Sequence, residues 1–175
     1  SVQNGRLSHA YLFAGPRHVG KATVARALAE RIACTRHNFA EPTCGSCLGC
    51  ATFAADWHTI APSDEDNESA KLAEIGIREA RALRRFLAVR PFGRYRAALV
   101  DDAEQLTPEA ANTLLKVLEE PPAPTLLFVV CHEPSRLLET IRSRLVAVPF
   151  GLVPMAQSVV GLQAATDRAL KCPSD

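Results

Sequence analysis

The sequence predicts an α/β domain with a mainly parallel sheet covered by helices on both faces. Three observations carry that expectation. Short apolar strands alternate with amphipathic helices along the chain, which is the order of β-α-β units. The interior strands Ala97–Val100 and Thr125–Val130 are continuous apolar runs of the kind a doubly covered sheet requires. The first strand passes through a glycine-bounded turn straight into a helix, which opens such a layer.

At 175 residues, 47% hydrophobic and 22% charged, the chain has room for one ordinary globular domain and a small appendage. A net charge of +1 supports neither a strongly basic nucleic-acid grip nor an acidic tail. No apolar run approaches the roughly 20 residues of a membrane span. The opening SVQNGRLSHAYLF lacks the charged-then-apolar layout of a signal peptide, so the cytosol is the default expectation. The first strand begins only ten residues into the chain, which suggests a fragment of a longer protein. Ser8 and His9, just before it, read as surface residues.

Tyr11–Ala14 is the first strand, and Gly15-Pro-Arg-His-Val-Gly20-Lys21 is the turn. This matches G-x-x-x-x-G-K-[S/T] up to its last position. Backbone amides in such a turn point at a polyphosphate, and the lysine reaches its β/γ oxygens. Position 22 is alanine, where a hydroxyl would hold magnesium. Thr23 comes one place late, about 100° around the helix, and does not replace it. A strand–turn–helix with a Gly and a Lys also occurs without any ligand, so the loop needs support from elsewhere. In the helix that follows, Ala22–Ala33, the four-residue spacing of Val24, Leu28 and Ile32 predicts the buried face.

Of the six cysteines, Cys34, Cys44, Cys47 and Cys50 are spaced C-x9-C-x2-C-x2-C. Disulfides, a redox C-x-x-C pair and a structural zinc site compete for them. Without a secretion signal the first is disfavoured. Three equally spaced cysteines exceed what the second needs. Four thiolates suit tetrahedral zinc, with Gly45 and Gly49 allowing tight turns that aim the sulfurs inward. A closed four-sulfur site has no open position for catalysis. His37 is a spare candidate ligand, Cys131 reads as core, and Cys172 has no evident partner.

Trp57–Pro62 reads as the second strand, and SDEDNES from Ser63 as a solvated acidic loop. Ile75–Val89 is an amphipathic helix, with Ile75, Ala82, Leu83, Phe86 and Leu87 inward. Arg78, Arg81, Arg84 and Arg85 form its basic flank, a solvated face or a contact for a nucleic-acid backbone or acidic partner. Ala97–Val100 then runs into Asp101-Asp102, the form of a Walker B segment. Its first carboxylate would hold magnesium and its second would activate water. The second is aspartate rather than glutamate, one methylene short, and a displacement near 1 Å can cost about 100-fold in rate. Alone, the pair could equally cap a strand end. Thr107-Pro108-Glu109 is a helix start, with Ala111, Leu114, Leu115 and Leu118 inward and Pro121-Pro122 as the stop. Thr125–Val130, a short helix over Pro134–Thr140 and a last strand over Leu145–Pro149 complete the series.

With ANTLLKVLEEPP, TLLFVV and EPSRLLETIRSR in this order after the phosphate loop and cysteine module, residues 8–150 resemble the bacterial DNA polymerase III clamp-loader AAA+ family. The resemblance implies a three-layer P-loop AAA+ domain over residues 1–150, with a five-stranded parallel sheet and a zinc module inserted at 34–50. Residues 151–175 would start a truncated helical lid or tail. It also implies a nucleotide site at Gly15, Gly20, Lys21 and Asp101. His18 stands where the family's ATPase motors carry glycine, Ala22 replaces the hydroxyl, Asp102 replaces the catalytic glutamate, and Cys131 falls near a polar sensor position. These departures point to the delta-prime kind of subunit, which does not hydrolyse ATP, with ATP and magnesium doubtful as ligands. The resemblance further implies that Arg144, in Ser143-Arg144-Leu145, reaches into a neighbouring subunit's ATP site. Partners would be gamma/tau and delta subunits, the sliding clamp and, through the assembly, primer-template DNA. A gamma/tau-type motor and a zinc-stabilised interaction module unrelated to replication are the alternatives.

Overall fold

The computed structural model describes residues 8–36, 43–63, 73–122 and 124–152. Five strands form one parallel sheet: β1 (Ala10–Ala14), β2 (Trp57–Ile60), β3 (Arg96–Val100), β4 (Thr125–Cys131) and β5 (Val146–Pro149). Their spatial order is β2-β3-β4-β1-β5, with every neighbouring pair parallel. The helices are α1 (Lys21–Ala33), α2 (Leu48–Thr52), α3 (Ile77–Ala88), α4 (Pro108–Glu119) and α5 (Glu139–Arg142). The expected five-stranded parallel α/β architecture is therefore present.

Alternation along the strands divides the core into two layers. Leu12, Val100, Leu127 and Val129 pack with Leu83 and Leu87 of α3, Leu114 and Leu118 of α4, and Ile141 of α5. Tyr11, Phe13, Leu99, Phe128 and Val130 point the other way, onto Ala25, Ala29 and Ile32 of α1. All residues of β3 and β4 are buried, because they are interior strands covered on both faces.

Several boundaries and faces differ from expectation. On α1 the buried residues are Ala25, Ala29 and Ile32, whereas Val24 is 45% exposed and Leu28 only half-buried. Small alanines let the helix lie close to the aromatic layer of Phe13 and Phe128, so residue size misdirects the spacing argument. On α3, Ala80 joins Leu83 and Leu87, while Ala82 and Phe86 are half-buried. Ile75 is buried but precedes the helix and bridges to Leu106. Val117 and Ala110 join the buried face of α4, and Leu115 stays half-buried. The predicted Thr107 cap is present, its side chain accepting from the Ala110 amide at 3.3 Å. The Pro134–Thr140 helix is split into a 3-10 turn, Pro134–Arg136, and α5, because Leu137 and Leu138 are extended. Ser8 and His9 are half-buried: the Ser8 amide donates to the Tyr11 hydroxyl, and the His9 ring meets the Leu118 carbonyl at 3.2 Å.

The second strand stops at Ile60, and Ser63 instead bridges to Glu74. The four arginines of the basic flank are exposed. His37, Cys172, the rest of the acidic loop to residue 72 and the expected tail from 153 onward lie outside the described residues.

Candidate functional site

The carboxyl ends of β1, β3 and β4 and the first turn of α1 enclose a cavity of about 280 Å³. Arg17, His18, Gly20, Lys21, Asp101 and Asp102 are among its lining, with His132 from the end of β4. Gly20 caps α1 in the left-handed conformation, φ 83°, with no side-chain cap. The first amides of the helix thus have no intrahelical acceptor. Gly15 serves close approach: a Cβ there would stand 2.2 Å from the Phe150 carbonyl oxygen. Phe150 in turn donates its amide to Ala14, fastening the end of β5 beside the turn. His18 adopts φ 61°, a left-handed position that glycine occupies without strain.

Lys21 is 3% exposed, and its ammonium is fully engaged. It donates to the Gly15 carbonyl at 2.9 Å, the Pro16 carbonyl at 2.5 Å and Nδ1 of His132 at 2.8 Å. An ammonium has three donors and no acceptor, so Nδ1 accepts and the neutral ring carries its proton on Nε2. That nitrogen faces Oδ1 of Asp102. The result is a chain, Lys21 to His132 to Asp102, joining the cation of the turn to the second carboxylate of the strand end. Burial lowers the Lys21 pKa, against the pull of Asp101, Glu104 and Asp102. Burial, then the neighbouring Asp102 charge, raises that of Asp101. Asp102 is left-handed at φ 49° and leads the 3-10 turn Ala103–Gln105. The Glu104 carboxylate of that turn accepts the His132 amide at 3.1 and 3.3 Å.

Cys131, taken as core and also placed near a sensor position, is fully buried, and burial pushes its thiol up to about 12. The polar group that meets the cavity is His132, one residue further on. It was missed because an apolar strand ending in Cys-His gives no sign of which side chain turns outward.

The four clustered cysteines do converge. Sγ separations are 3.6 Å for Cys34–Cys44, 3.8 Å for Cys34–Cys47, 3.9 Å for Cys44–Cys50 and 3.5 Å for Cys47–Cys50. Four sulfurs about 2.3 Å from one ion would stand roughly 3.8 Å apart, so the set fits a tetrahedral metal. Hydrogen bonds from Thr35 pull the Cys47 thiol down to about 5, while burial pushes that of Cys50 up to about 12. Cys34 ends α1, and Cys47 starts α2. Gly45 makes a turn at φ 69° as expected. Gly49 does not: it lies within α2, where a Cβ would stand 1.9 Å from the Ala33 carbonyl oxygen. Its role is to let α2 press against the end of α1.

Arg144 is exposed and does not line the cavity. Its guanidinium donates to the Thr140 carbonyl at 2.7 Å and to Glu119 at 2.9 Å.

The family model described as DNA polymerase III, delta subunit, matches residues 1–153. The chain belongs to the delta-prime family of DNA polymerase III subunits. Delta-prime relatives from Pseudomonas aeruginosa and Bacillus subtilis are 39% and 36% identical over 79% and 86% of the chain. A gamma/tau subunit from Mycobacterium tuberculosis is 40% identical over 88% of the chain. The chain spans 42% and 44% of those delta-prime relatives and 26% of the gamma/tau one. Among solved structures, a gamma subunit-related protein from Thermotoga maritima matches with TM-score 0.61 at 24% identity, over 87% of this chain and 45% of its own. The RuvB Holliday junction branch migration motor of that organism matches with TM-score 0.60 at 15% identity, over 95% and 46%. At those identities the likeness concerns the AAA+ fold.

One further pair in this delta-prime family member escaped the sequence reading. Asp56, 3% exposed, stands immediately before β2, and Arg96, 6% exposed, is the first residue of β3. The register Trp57↔Ala97 sets them side by side, with Arg96 Nε 3.8 Å from Asp56. Opposite charges, each just ahead of an apolar strand, were the available signal.

Proposed function

We propose that this chain is the nucleotide-fold portion of a delta-prime-type clamp-loader subunit, a non-hydrolysing ring member that supplies Arg144 to a neighbouring ATPase. The observation that carries this reading is the engagement of Lys21. A motor needs that ammonium for phosphate and a free carboxylate for water, whereas here both are tied together through His132. Ala22 provides no hydroxyl for magnesium. Arg144, by contrast, stands at the surface with its guanidinium already oriented. Gamma/tau and delta subunits, the sliding clamp and primed DNA are the partners this role requires, and the cytoplasm is its place. The cysteine centre would hold structural zinc through Cys34, Cys44, Cys47 and Cys50, tying the end of α1 to α2.

The test is a loader reconstituted from motor, delta and longest-form delta-prime subunits. Arg144→Ala is expected to lower ATP turnover at the adjoining motor by about 10³-fold, the scale of an arginine finger, while assembly persists. Unchanged turnover in an intact assembly refutes the assignment of Arg144. A gamma/tau-type motor is the second reading, favoured by the 40% identity to such a subunit and by the retained Gly20, Lys21 and Asp101. Mg-ATP turnover by this subunit alone, abolished by Lys21→Ala, would establish it instead.

A further inference from the structure

We propose that Glu119 is a positioning residue for Arg144, fixing the guanidinium in the pose from which it serves a neighbouring subunit's ATP site. The inference rests on reading Arg144 as the residue supplied in trans and adds how it is aimed. Arg142 and Arg144 flank Ser143 but are used differently. The Arg142 guanidinium turns back to the Pro134 carbonyl at 3.2 Å, within its own connection. That of Arg144 is held by two elements at once, the Thr140 carbonyl of α5 at 2.7 Å and the Glu119 carboxylate of α4 at 2.9 Å. A guanidinium has five N–H groups in one plane, and each of these bonds takes one. Nε and the second hydrogen of each terminal nitrogen have no partner among the described residues. They form a fork able to meet a phosphoryl oxygen.

Both supports are anchored. Thr140 precedes Ile141, which is fully buried, and its carbonyl also accepts the Ser143 hydroxyl at 3.2 Å. Glu119 follows Leu118, whose side chain is buried and whose carbonyl meets the His9 ring at 3.2 Å. The backbone under the carboxylate is therefore fixed, although the side chain itself is half exposed. Glu119 is also badly placed for its own helix. It ends α4, with Glu120 as the cap, where the carbonyl end of a helix disfavours negative charge. A residue that breaks a local rule is expected where function asks for it. The cation bonded to it is Arg144, 25 positions along the chain. As an exposed ion pair this contact adds little to the stability of the fold. Its value lies in removing the rotamer freedom of a long side chain before the neighbour's phosphate arrives.

The experiment is steady-state turnover of radiolabelled ATP by a loader reconstituted from motor, delta and longest-form delta-prime subunits. The delta-prime subunit carries Glu119→Ala, Glu119→Gln, Arg144→Ala, or Glu119→Ala together with Arg144→Ala. Gel filtration checks assembly, and thermal melts check the fold of every variant. Glu119→Ala should lower kcat about tenfold with KM for ATP unchanged, because the lost alignment is felt in the transition state. That size lies between the roughly fivefold worth of an exposed ion pair and the roughly hundredfold cost of a displacement near 1 Å. Glu119→Gln keeps an acceptor oxygen and should recover most of the loss. In the Arg144→Ala background, Glu119→Ala should lower the residual turnover no further. A loss with Arg144→Ala but none with Glu119→Ala overturns the positioning role and leaves the reading of Arg144 standing. So does an equal fold-loss in both backgrounds, or faster turnover in either single Glu119 variant. Unchanged turnover with Arg144→Ala in an intact assembly overturns both.

Discussion

Removing the Arg96 guanidinium, as in Arg96→Met, is expected to destabilise the domain by about 4 kcal/mol. Arg96 donates to the carbonyls of Val89 at 3.1 Å, Ala55 at 3.0 Å and Arg90 at 3.3 Å, and lies 4.4 Å from the Phe86 ring centre. Asp56 accepts the amides of Phe92 at 3.0 Å and Gly93 at 2.6 Å. One ion pair thereby joins the starts of two strands to the connection after α3. At 3.8 Å with an effective dielectric near 20, its Coulomb attraction is about 4 kcal/mol, and breaking a buried pair typically costs about 3–5. Methionine keeps much of the apolar stem but leaves three carbonyls and a carboxylate without their cation. For a chain of this size, the loss corresponds to a melting temperature lower by about 8–16 °C. Thermal unfolding of Arg96→Met, Asp56→Asn and the double variant checks this. The double variant should cost less than the sum of the singles by at least about 1 kcal/mol. A single-variant loss below about 1 kcal/mol, or strict additivity, would show that the pair does not hold the strand starts together.

Asp101 is expected to be a stability liability at neutral pH, because its folded pKa lies above its ordinary value. The native state then binds the proton more readily than the unfolded chain, so this group's contribution falls as pH rises from the carboxylate range through the raised pKa. Asp101→Asn should raise the melting temperature at pH 7, with the gain disappearing below about pH 4; an equal gain at both pH values refutes the linkage. Metal removal gives another check. A strong chelator should release one zinc per chain and expose four thiols to an alkylating reagent, while Cys131 stays protected until global unfolding. Metal content that survives Cys44→Ser together with Cys47→Ser would place the zinc elsewhere.

The strands and the long helices between them were legible because continuous apolar runs have few homes other than the interior of a covered sheet, whereas α2 and the break at Leu137 and Leu138 were not. The cysteine spacing was legible for a similar reason: four sulfurs within 17 residues meet with little help from the rest of the chain. The buried face of α1 was not, since Ala25 and Ala29 win their places through closeness to aromatic strands rather than through size. Gly49 illustrates the same limit. A glycine reads as a turn, yet this one is a helical residue whose missing Cβ admits the Ala33 carbonyl. His132 and Lys21 are separated by 111 positions, and only the β1–β4 pairing, with Ala14 beside Cys131, brings them together.

That pairing explains why motif residues alone give an incomplete account of the pocket. Gly20, Lys21 and Asp101 are residues a working nucleotide site also has, and the departures at Ala22 and Asp102 each subtract one function. The fold goes further than subtraction. It sets β4 next to β1, so the residue after β4 lands on the lysine at the end of the loop after β1. It also sets β3 next to β4, so the same residue meets the carboxylate after β3. A histidine there, with one nitrogen for each, neutralises the lysine with the protein's own aspartate. The same chain is rigidly backed, because Asp102 leads directly into the turn preceding α4, whose far end carries the Glu119 that holds Arg144. Twelve helical residues separate the two sites by about 18 Å. The chain thus ties Lys21 to Asp102 through His132 ahead of one end of this helix and holds the Arg144 guanidinium with Glu119 at the other.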